Sequence, residues 1–287
     1  MQEILQLVMT HFKQFSYKKF GCLDLQGNVP EEADGLLLND FIKVVFLKKG
    51  AKLMIDFKDY HLENDAVFFI NAGQWCQFTD DTCFGALLYY NRDFYCVEIH
   101  DKEVACDGIL FHNIYEIPVV QLNDEQSSEI QQLFAEINAE LLEEDSNLEE
   151  MLRLLLKKII IKSTRIWKGA HDLQNEESRQ ELEFLRKFSQ LVEWNFLTKH
   201  TVAAYADILN ITPKLLNKRI SRFSKDTPND LIKQRIILEA QRILAHTQLS
   251  VKEISYKLGY DDPSYFIRLF TKQTGLSPQG FRKQYTT

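Results

Sequence analysis

The sequence predicts an α+β protein: a small N-terminal β-barrel domain with linker helices, then a C-terminal all-α domain of two helix-turn-helix units joined by a spacer helix. Three observations predict this fold. Short β-type runs occupy residues 17–120, helical periodicity begins after Pro118, and one capping pattern occurs twice between residues 201 and 273. With 287 residues, 45% of them hydrophobic, the chain can fill two cores.

Short apolar runs separated by turn residues mark residues 17–120 as a sheet domain. Residues 52–57 alternate between polar and apolar, and Ala66–Ile70 and residues 86–90 are continuous apolar runs typical of buried strands. Turn residues at 71–73 separate two of these strands. Regular short strands of this kind predict a small barrel or double-sheet roll that is able to hold one small ligand.

Helical spacing of apolar residues begins after Pro118 and continues to about residue 168. Ile130, Phe134, Ile137 and Leu141 form one stripe. A second helix is predicted to begin at Ser146, because a serine followed three residues later by glutamate forms a capping box. These helices, at about 124–168, complete an N-terminal domain of residues 1–170.

The second of these helices carries more apolar surface than a single contact requires. The surplus is centred on Leu152, Leu155 and Ile159. Two interpretations remain open: the helix packs against the barrel, or the helix pair forms a dimer interface. The polar stretch at residues 171–180 is the predicted linker to a C-terminal domain of residues 181–287.

Two helix-turn-helix units are predicted from a repeated order of caps and turns. Thr201 caps a first helix, and Thr212 followed by Pro213 begins a second helix that extends to about residue 223. In the second unit a capping box of Ser250 with Glu253 is followed by a turn and by a helix over residues 263–273. The matching pairs are Ala206 with Ser255, Asn210 with Gly259, Leu216 with Phe266 and Ile220 with Phe270.

A spacer helix is predicted to join the two units. Thr227 and Pro228 begin it. Its inward face is predicted to consist of Leu231, Ile232, Ile236, Ala240, Ile243 and Leu244. A rigid spacer would place both second helices on one face of a DNA duplex, about one helical turn apart.

Charge is distributed unevenly along the chain. Residues 191–287 hold 15 Lys and Arg against 8 Asp and Glu, a net charge of +7, whereas the first 190 residues hold 19 against 33, a net charge of −14. The basic part can approach phosphate although the whole chain carries −7.

The run SVKEISYKLGYDDPSYFIRLFTKQTGLSPQGFR, residues 250–282, resembles the signature of the AraC/XylS family of transcriptional regulators. The resemblance extends over residues 201–285, and the rest of the chain resembles a Bacteroidetes type with a cupin-like sensory domain. It implies a sequence-specific, effector-responsive DNA-binding regulator, an activator that acts as a homodimer with double-stranded DNA and RNA polymerase. Two residues depart from the family pattern: Lys225 stands where glycine is usual, and Ser255 where alanine is usual.

Residues at the start of each second helix, on its outward face, are the candidates for DNA contact. The resemblance puts Lys214, Asn217 and Lys218 on base-contacting positions; Asn217 suits adenine and Lys218 guanine. Ser264 and Tyr265 are base candidates in the second unit, which the two aspartates at 261 and 262 should weaken by repelling phosphate. The full candidate set is Lys214, Leu215, Asn217, Lys218, Arg222, Asp262, Pro263, Ser264, Tyr265, Arg268 and Lys272.

Two other classes of function fit the sequence less well. A cupin-type metal enzyme is disfavoured, since His61, His100 and His112 are scattered and no catalytic motif occurs, so we expect no catalytic residue, metal or cofactor. A structural protein that binds DNA without sequence specificity would not need the barrel domain. Six aromatic residues could either fill the barrel core or contact an effector: Phe68, Phe69, Trp75, Phe78, Tyr89 and Tyr90.

The compartment is predicted from what the sequence lacks. No apolar run approaches the roughly 18 residues that a membrane span needs, and residues 1–12 show no export signal. The five cysteines have no ligand-like spacing and are expected to be reduced and mostly buried. We therefore expect a soluble, cytoplasmic protein.

Overall fold

The computed structural model describes residues 12–27, 38–79, 83–95, 110–111, 118–170, 176–222 and 224–285. The chain forms two compact units, one of Met1–Asn113 with Ile117–Gln174 and the other of Asn175–Thr287 with Ile114–Glu116. The main division, between Gln174 and Asn175, falls within the stretch that we expected to be the linker.

The first unit contains two antiparallel sheets. A six-stranded sheet has the order β1-β2-β8-β3-β6-β9, and a three-stranded sheet has the order β5-β4-β7. The strands are β1 (Phe12–Phe15), β2 (Lys18–Gln26), β3 (Ile42–Leu47), β4 (Lys52–Ile55), β5 (Lys58–His61), β6 (Ala66–Ile70), β7 (Cys76–Phe78), β8 (Phe84–Tyr90) and β9 (Val119–Gln121).

Both sheets contribute to one hydrophobic core. Val45 and Leu47 of β3 pack in it together with Leu53 and Ile55 of β4, because alternate residues of a strand point to the same face. This is the predicted double-sheet arrangement. Five of the six aromatic candidates are buried, namely Phe68, Phe69, Phe78, Tyr89 and Tyr90, while Trp75 is half-buried. These five rings are core residues.

The predicted strand over residues 52–57 is two residues too long. β4 ends at Ile55, and Asp56 and Phe57 form the turn to β5 with φ angles of 49° and 67°. Positive φ at both central residues matches the right-handed twist of a two-residue hairpin. The Asp56 carboxylate also accepts a 3.1 Å hydrogen bond from the Trp75 backbone N–H.

Helices α1 (Asp124–Glu140) and α2 (Leu148–Ala170) complete the first unit. The capping box lies at the start of α1, between Asn123 and Gln126, where we did not predict one. The box predicted for α2 is wrong: the helix begins at Leu148, and the Glu149 carboxylate instead accepts hydrogen bonds from Lys18, at 2.8 Å, and from Arg153.

The surplus apolar face of α2 is used inside the first unit. Leu152 and Ile159 are fully buried and Leu155 is only 8% exposed. Of the two interpretations, packing within the unit is therefore correct for these three residues. The apolar side chains that α2 leaves exposed lie beside them, at Met151 and Leu154, and Leu154 is 52% exposed.

The second unit is helical. Its helices are α3 (Glu176–Asn195), α4 (Val202–Ile208), α5 (Pro213–Ile220), α6 (Pro228–His246), α7 (Val251–Lys257), α8 (Pro263–Thr274) and α9 (Pro278–Tyr285). Residues 176–180, expected in the linker, form the first turn of α3. Helix α5 ends at Ile220, earlier than the predicted end near residue 223, which lies outside the described residues.

Helix α6 forms the centre of the second unit. All six residues predicted for its inward face are buried. Arg235 on this helix is also buried, and its guanidinium forms a 2.6 Å ion pair with Glu193 of α3 and lies over the Phe196 ring. Helix α9, which we did not predict separately, is held to α6 by Arg282, whose guanidinium donates to the Leu244 carbonyl at 3.2 Å.

Three further sequence predictions concern the cysteines, metal binding and membrane-spanning helices. Cys22, Cys76 and Cys83 are buried, and Cys96 and Cys106 lie outside the described residues. Within the same ranges, no cluster of three or more His, Cys, Asp or Glu could hold a metal ion. His61 lies exposed at the end of β5, whereas His100 and His112 are not among the described residues. None of the described helices is long and apolar enough to cross a membrane.

Candidate nucleic-acid interface

The two helix pairs α4–α5 and α7–α8 turn in the same way. The second residue after each first helix has a left-handed backbone, with φ of 54° at Asn210 and 79° at Gly259. After each turn a backbone N–H returns to the first helix: Ile211 donates to the Ala206 carbonyl at 3.0 Å, and Tyr260 donates to the Ser255 carbonyl at 3.0 Å. This confirms the predicted pairing of the two turns.

Helices α5 and α8 begin at capping residues that the sequence predicts. The Thr212 hydroxyl accepts a 3.2 Å hydrogen bond from the Leu215 N–H, and the Asp262 carboxylate accepts a 2.8 Å bond from the Ser264 N–H. Each cap is followed by proline at the first helical position. The caps satisfy backbone donors that would otherwise be unpaired, so both helices begin at a fixed point.

One face of each of these helices is anchored in the core of the unit. Leu216 and Ile220 of α5 are buried, as are Phe266 and Phe270 of α8. The four-residue spacing on each helix puts both anchors on one side. The opposite side of each helix therefore faces solvent.

On α5 the outward side presents the residues that we predicted. Lys214, Leu215, Asn217 and Lys218 are all exposed. The side-chain amide of Asn217 donates a 2.8 Å hydrogen bond to the Pro213 carbonyl in the preceding turn. This bond uses one N–H of the amide and leaves the second N–H and the oxygen for the edge of a base.

The outward side of α8 has a different chemistry. Ser264, Arg268 and Lys272 are exposed, and Pro263 is half-buried. The position equivalent to Asn217 holds Ile267, a side chain that cannot form hydrogen bonds with a base edge. We did not recognise this difference from the sequence, although the alignment of Leu216 with Phe266 contains it.

Tyr265 projects from α8 beside a stack of rings. It is 46% exposed, and its ring centroid is 5.7 Å from that of Tyr260. Tyr260 stacks in turn on His200, at 4.6 Å. Burial, with a contribution from Tyr265, raises the pKa of Tyr260 far above its usual value. Tyr260 is therefore a neutral, packed support beside the exposed Tyr265 ring.

Arg222, which we predicted on the outward side of the first recognition helix, is exposed but is already paired within the protein. Its guanidinium forms a 3.0 Å ion pair with the carboxylate of Glu181 in α3. The other oxygen of that carboxylate accepts a 2.7 Å hydrogen bond from Arg219. Sequence analysis missed Glu181 because α3 falls partly in the predicted linker; the only signal there was the apolar spacing of Phe184, Phe188 and Val192.

Comparisons with known proteins agree with this geometry. Residues 205–284 match a family model described as a helix-turn-helix domain, HTH_18. The HTH-type transcriptional activator RhaR of Enterobacter sp. (strain 638) is 20% identical over 249 residues, 85% of each chain. RhaR of Salmonella dublin is 22% identical over 256 residues, 88% of each chain. The crystal structure of ToxT from Vibrio cholerae covers 96% of this chain and 100% of its own, with 16% identity and a TM-score of 0.41.

Proposed function

We propose that the chain is a sequence-specific, DNA-binding transcriptional regulator of the AraC/XylS family, and we propose how it reads its operator. Helices α5 and α8 each enter a major groove, in two successive grooves on one face of the duplex. The observation that carries this proposal is the equivalence of the two turns and caps, which leaves the same side of both helices exposed.

The roles of the residues follow from the position of each on its helix. Near the start of α5, Lys214, Asn217 and Lys218 contact base edges, and Leu215 makes apolar contact. On α8, Ser264 and Tyr265 contact bases next to Asp262 and Pro263, while Arg268 and Lys272 bind phosphates. Arg222 lies toward the DNA backbone, with part of its charge already balanced by Glu181.

The two units contribute unequally to specificity in this proposal. Only α5 offers a side-chain amide that can pair bidentately with adenine, because α8 has Ile267 at the same position. The carboxylates of Asp261 and Asp262 also repel phosphate near the start of α8. We therefore assign most of the base-specific free energy to α5.

We further propose that the protein is a cytoplasmic activator without catalytic activity, which acts as a homodimer and contacts RNA polymerase. For the dimer, the exposed apolar side chains of α2, Met151 and Leu154, are the candidates in place of the buried Leu155. They are available on the surface of the first unit.

An effector is proposed to bind the first unit, at a place different from the one that we expected. A pocket of about 590 Å³ lies on the outer face of the six-stranded sheet against α1, outside the shared core. Phe46, Phe134, Asp24 and Asn138 are among its lining residues. Its volume is in the range of small-molecule sites. A ligand bound there should raise the melting temperature of the full chain in a thermal-shift screen of small molecules.

The DNA-binding role is tested with a fragment of residues 175–287, which contains both helix pairs and α6. The fragment should bind duplex DNA, and its affinity should fall steeply with salt because each phosphate contact contributes about −0.9 to the log–log slope. A salt-independent affinity would contradict the proposal. Footprinting of the full chain at physiological salt should show one protected site, in contrast to the uniform protection given by a structural DNA-binding protein.

A further inference from the structure

We propose that Glu181 tunes the affinity for DNA: its carboxylate balances the arginine charge at the end of α5 and so weakens binding to DNA of any sequence. The inference rests on the proposed function, since it assumes that α5 lies in the major groove. Glu181 itself lies on α3, outside both helix-turn-helix pairs.

The geometry is that of one carboxylate shared by two guanidinium groups. Glu181 Oε2 accepts from Arg219 Nε at 2.7 Å, and Glu181 Oε1 pairs with an Nη of Arg222 at 3.0 Å. Hydrogen bonds between ionised partners at these distances are among the stronger ones in proteins. Both oxygens of the carboxylate are therefore used in holding the end of α5.

Burial makes this bridge more effective than a surface ion pair. The Glu181 side chain is only 12% exposed, so water screens its charge poorly. Arg219 is held from a second side, since its guanidinium lies 3.7 Å from the centroid of the Phe184 ring. Arg222 is the more exposed of the two arginines, at 43%, and is the one that a nearby phosphate could attract away.

The ion pair between Glu181 and Arg222 affects the binding of DNA phosphates and leaves the contacts with base edges unchanged. Arg222 follows the base-contacting residues by more than one helical turn, in the region where a recognition helix approaches the DNA backbone. A guanidinium without a carboxylate partner there would bind phosphate on any sequence. Phosphate contacts add affinity without discrimination, so the Glu181 carboxylate lowers the affinity for the operator and for non-specific DNA alike and makes both less dependent on salt.

The experiment compares five full-length proteins: wild type, Glu181→Gln, Glu183→Gln, Arg222→Gln and the double variant Glu181→Gln with Arg222→Gln. Glutamine keeps the shape of glutamate and removes its charge. Glu183 is the matched control, because it lies on the same helix and pairs with Arg186, at 2.6 Å, instead of with an arginine of α5. The probes are a duplex selected by the wild type from a random pool and a scrambled duplex of the same composition, titrated at several salt concentrations.

Glu181→Gln should bind both duplexes several-fold more tightly than wild type, with a log–log salt slope steeper by about 0.9, and the ratio of the two affinities should stay the same. Glu183→Gln should leave the slope unchanged, and the double variant should return it to the wild-type value. Arg222→Gln alone, an exposed substitution, should change the wild-type slope by much less than 0.9, because its charge is already balanced.

Three results would overturn the inference while the proposed function stands. The first is a Glu181→Gln slope equal to that of wild type. The second is weaker binding of Glu181→Gln to both duplexes, which would mean that the carboxylate positions Arg222 for phosphate. The third is a loss of about 0.9 in the slope for Arg222→Gln alone. If wild type itself binds neither duplex, the proposed function fails and the inference fails with it.

Discussion

The hydroxyl of Ser255 donates a 3.2 Å hydrogen bond to the backbone carbonyl of Tyr260, inside the turn between α7 and α8. The serine side chain therefore bridges the same six-residue segment that the backbone bond from Tyr260 to Ser255 closes. This explains how a serine is accommodated where the family pattern has alanine: its buried hydroxyl has an acceptor.

Ser255→Ala should lower the free energy of unfolding of the second unit by about 1 kcal/mol, because it removes one buried hydrogen bond and leaves no donor unpaired. Ser255→Val should cost more, about 1–3 kcal/mol, since the added methyl groups overfill a site with no exposed surface. Urea unfolding of the fragment of residues 175–287 measures both. If Ser255→Val were as stable as Ser255→Ala, the turn would have space for the added methyl groups.

The two turns should differ in their tolerance of alanine. At Gly259 a Cβ atom would lie 2.3 Å from the Leu197 carbonyl oxygen, on a backbone with φ of 79°. Gly259→Ala should therefore cost well over the roughly 1–2 kcal/mol of the left-handed conformation alone, whereas exposed Asn210→Ala should cost only about that amount. Asn210→Gly should be neutral or stabilising in the same unfolding assay. Equal losses at both positions would contradict the close approach at Gly259.

Two neighbouring leucines of α2 should respond differently to a charge. Leu155→Glu places a carboxylate in the core of the first unit and should unfold that unit, since a buried unpaired charge costs several kcal/mol. Leu154→Glu should leave the fold intact and, if α2 forms the dimer interface, should give a folded monomer. Circular dichroism and sedimentation velocity distinguish these outcomes. A folded, dimeric Leu154→Glu protein would place the interface elsewhere.

Local rules predicted most of the second unit from the sequence. The caps at Thr201, Thr212, Thr227, Ser250 and Asp262 are all present, because an N-cap depends on the residue itself and its next three neighbours. The same rule failed at Ser146. There Glu149 pairs with Arg153, one turn along α2, and with Lys18, 131 residues away in the sequence, a contact that no local pattern contains.

The features that the sequence did not predict depend on tertiary contacts. The partnership of Glu181 with Arg219 and Arg222 joins residues about forty positions apart, so periodicity cannot indicate it. For the same reason the apolar surplus of α2 did not show whether Leu155 faces its own sheet domain or a second chain. The Glu181 ion pairs and the burial of Leu155 both depend on how helices distant in the sequence pack together.

The capping box at the start of α6 should make the second unit sensitive to acid. The Thr227 hydroxyl, which donates to the Asp230 carboxylate, holds the pKa of this carboxyl below its usual value, and charges on Lys233 and Lys272 add to the effect. The stabilisation is complete above the unfolded-state pKa of about 3.9 and is lost as pH falls through the lower folded-state value.

Unfolding free energies of wild type and Thr227→Ala, measured at pH 6 and at pH 3, test this dependence. Wild type should lose more stability between the two pH values than Thr227→Ala does. Asp230→Asn serves as the control and should lack the Asp230 contribution to the pH dependence. This prediction is wrong if Thr227→Ala and wild type lose the same free energy of unfolding between pH 6 and pH 3.

Base reading by α5 is the central claim, and one titration of Asn217→Ala against operator and scrambled duplexes at several salt concentrations tests it most directly. The operator is the duplex selected by the wild type from a random pool, and Arg268→Ala is the matched phosphate-contact variant. Asn217→Ala should lose about 1–3 kcal/mol on the operator and almost nothing on the scrambled duplex, because base contacts specify while phosphate contacts position. Arg268→Ala should weaken binding to both duplexes alike and reduce the salt slope by about one unit. Equal losses by Asn217→Ala on the two duplexes would contradict the claim that α5 reads bases.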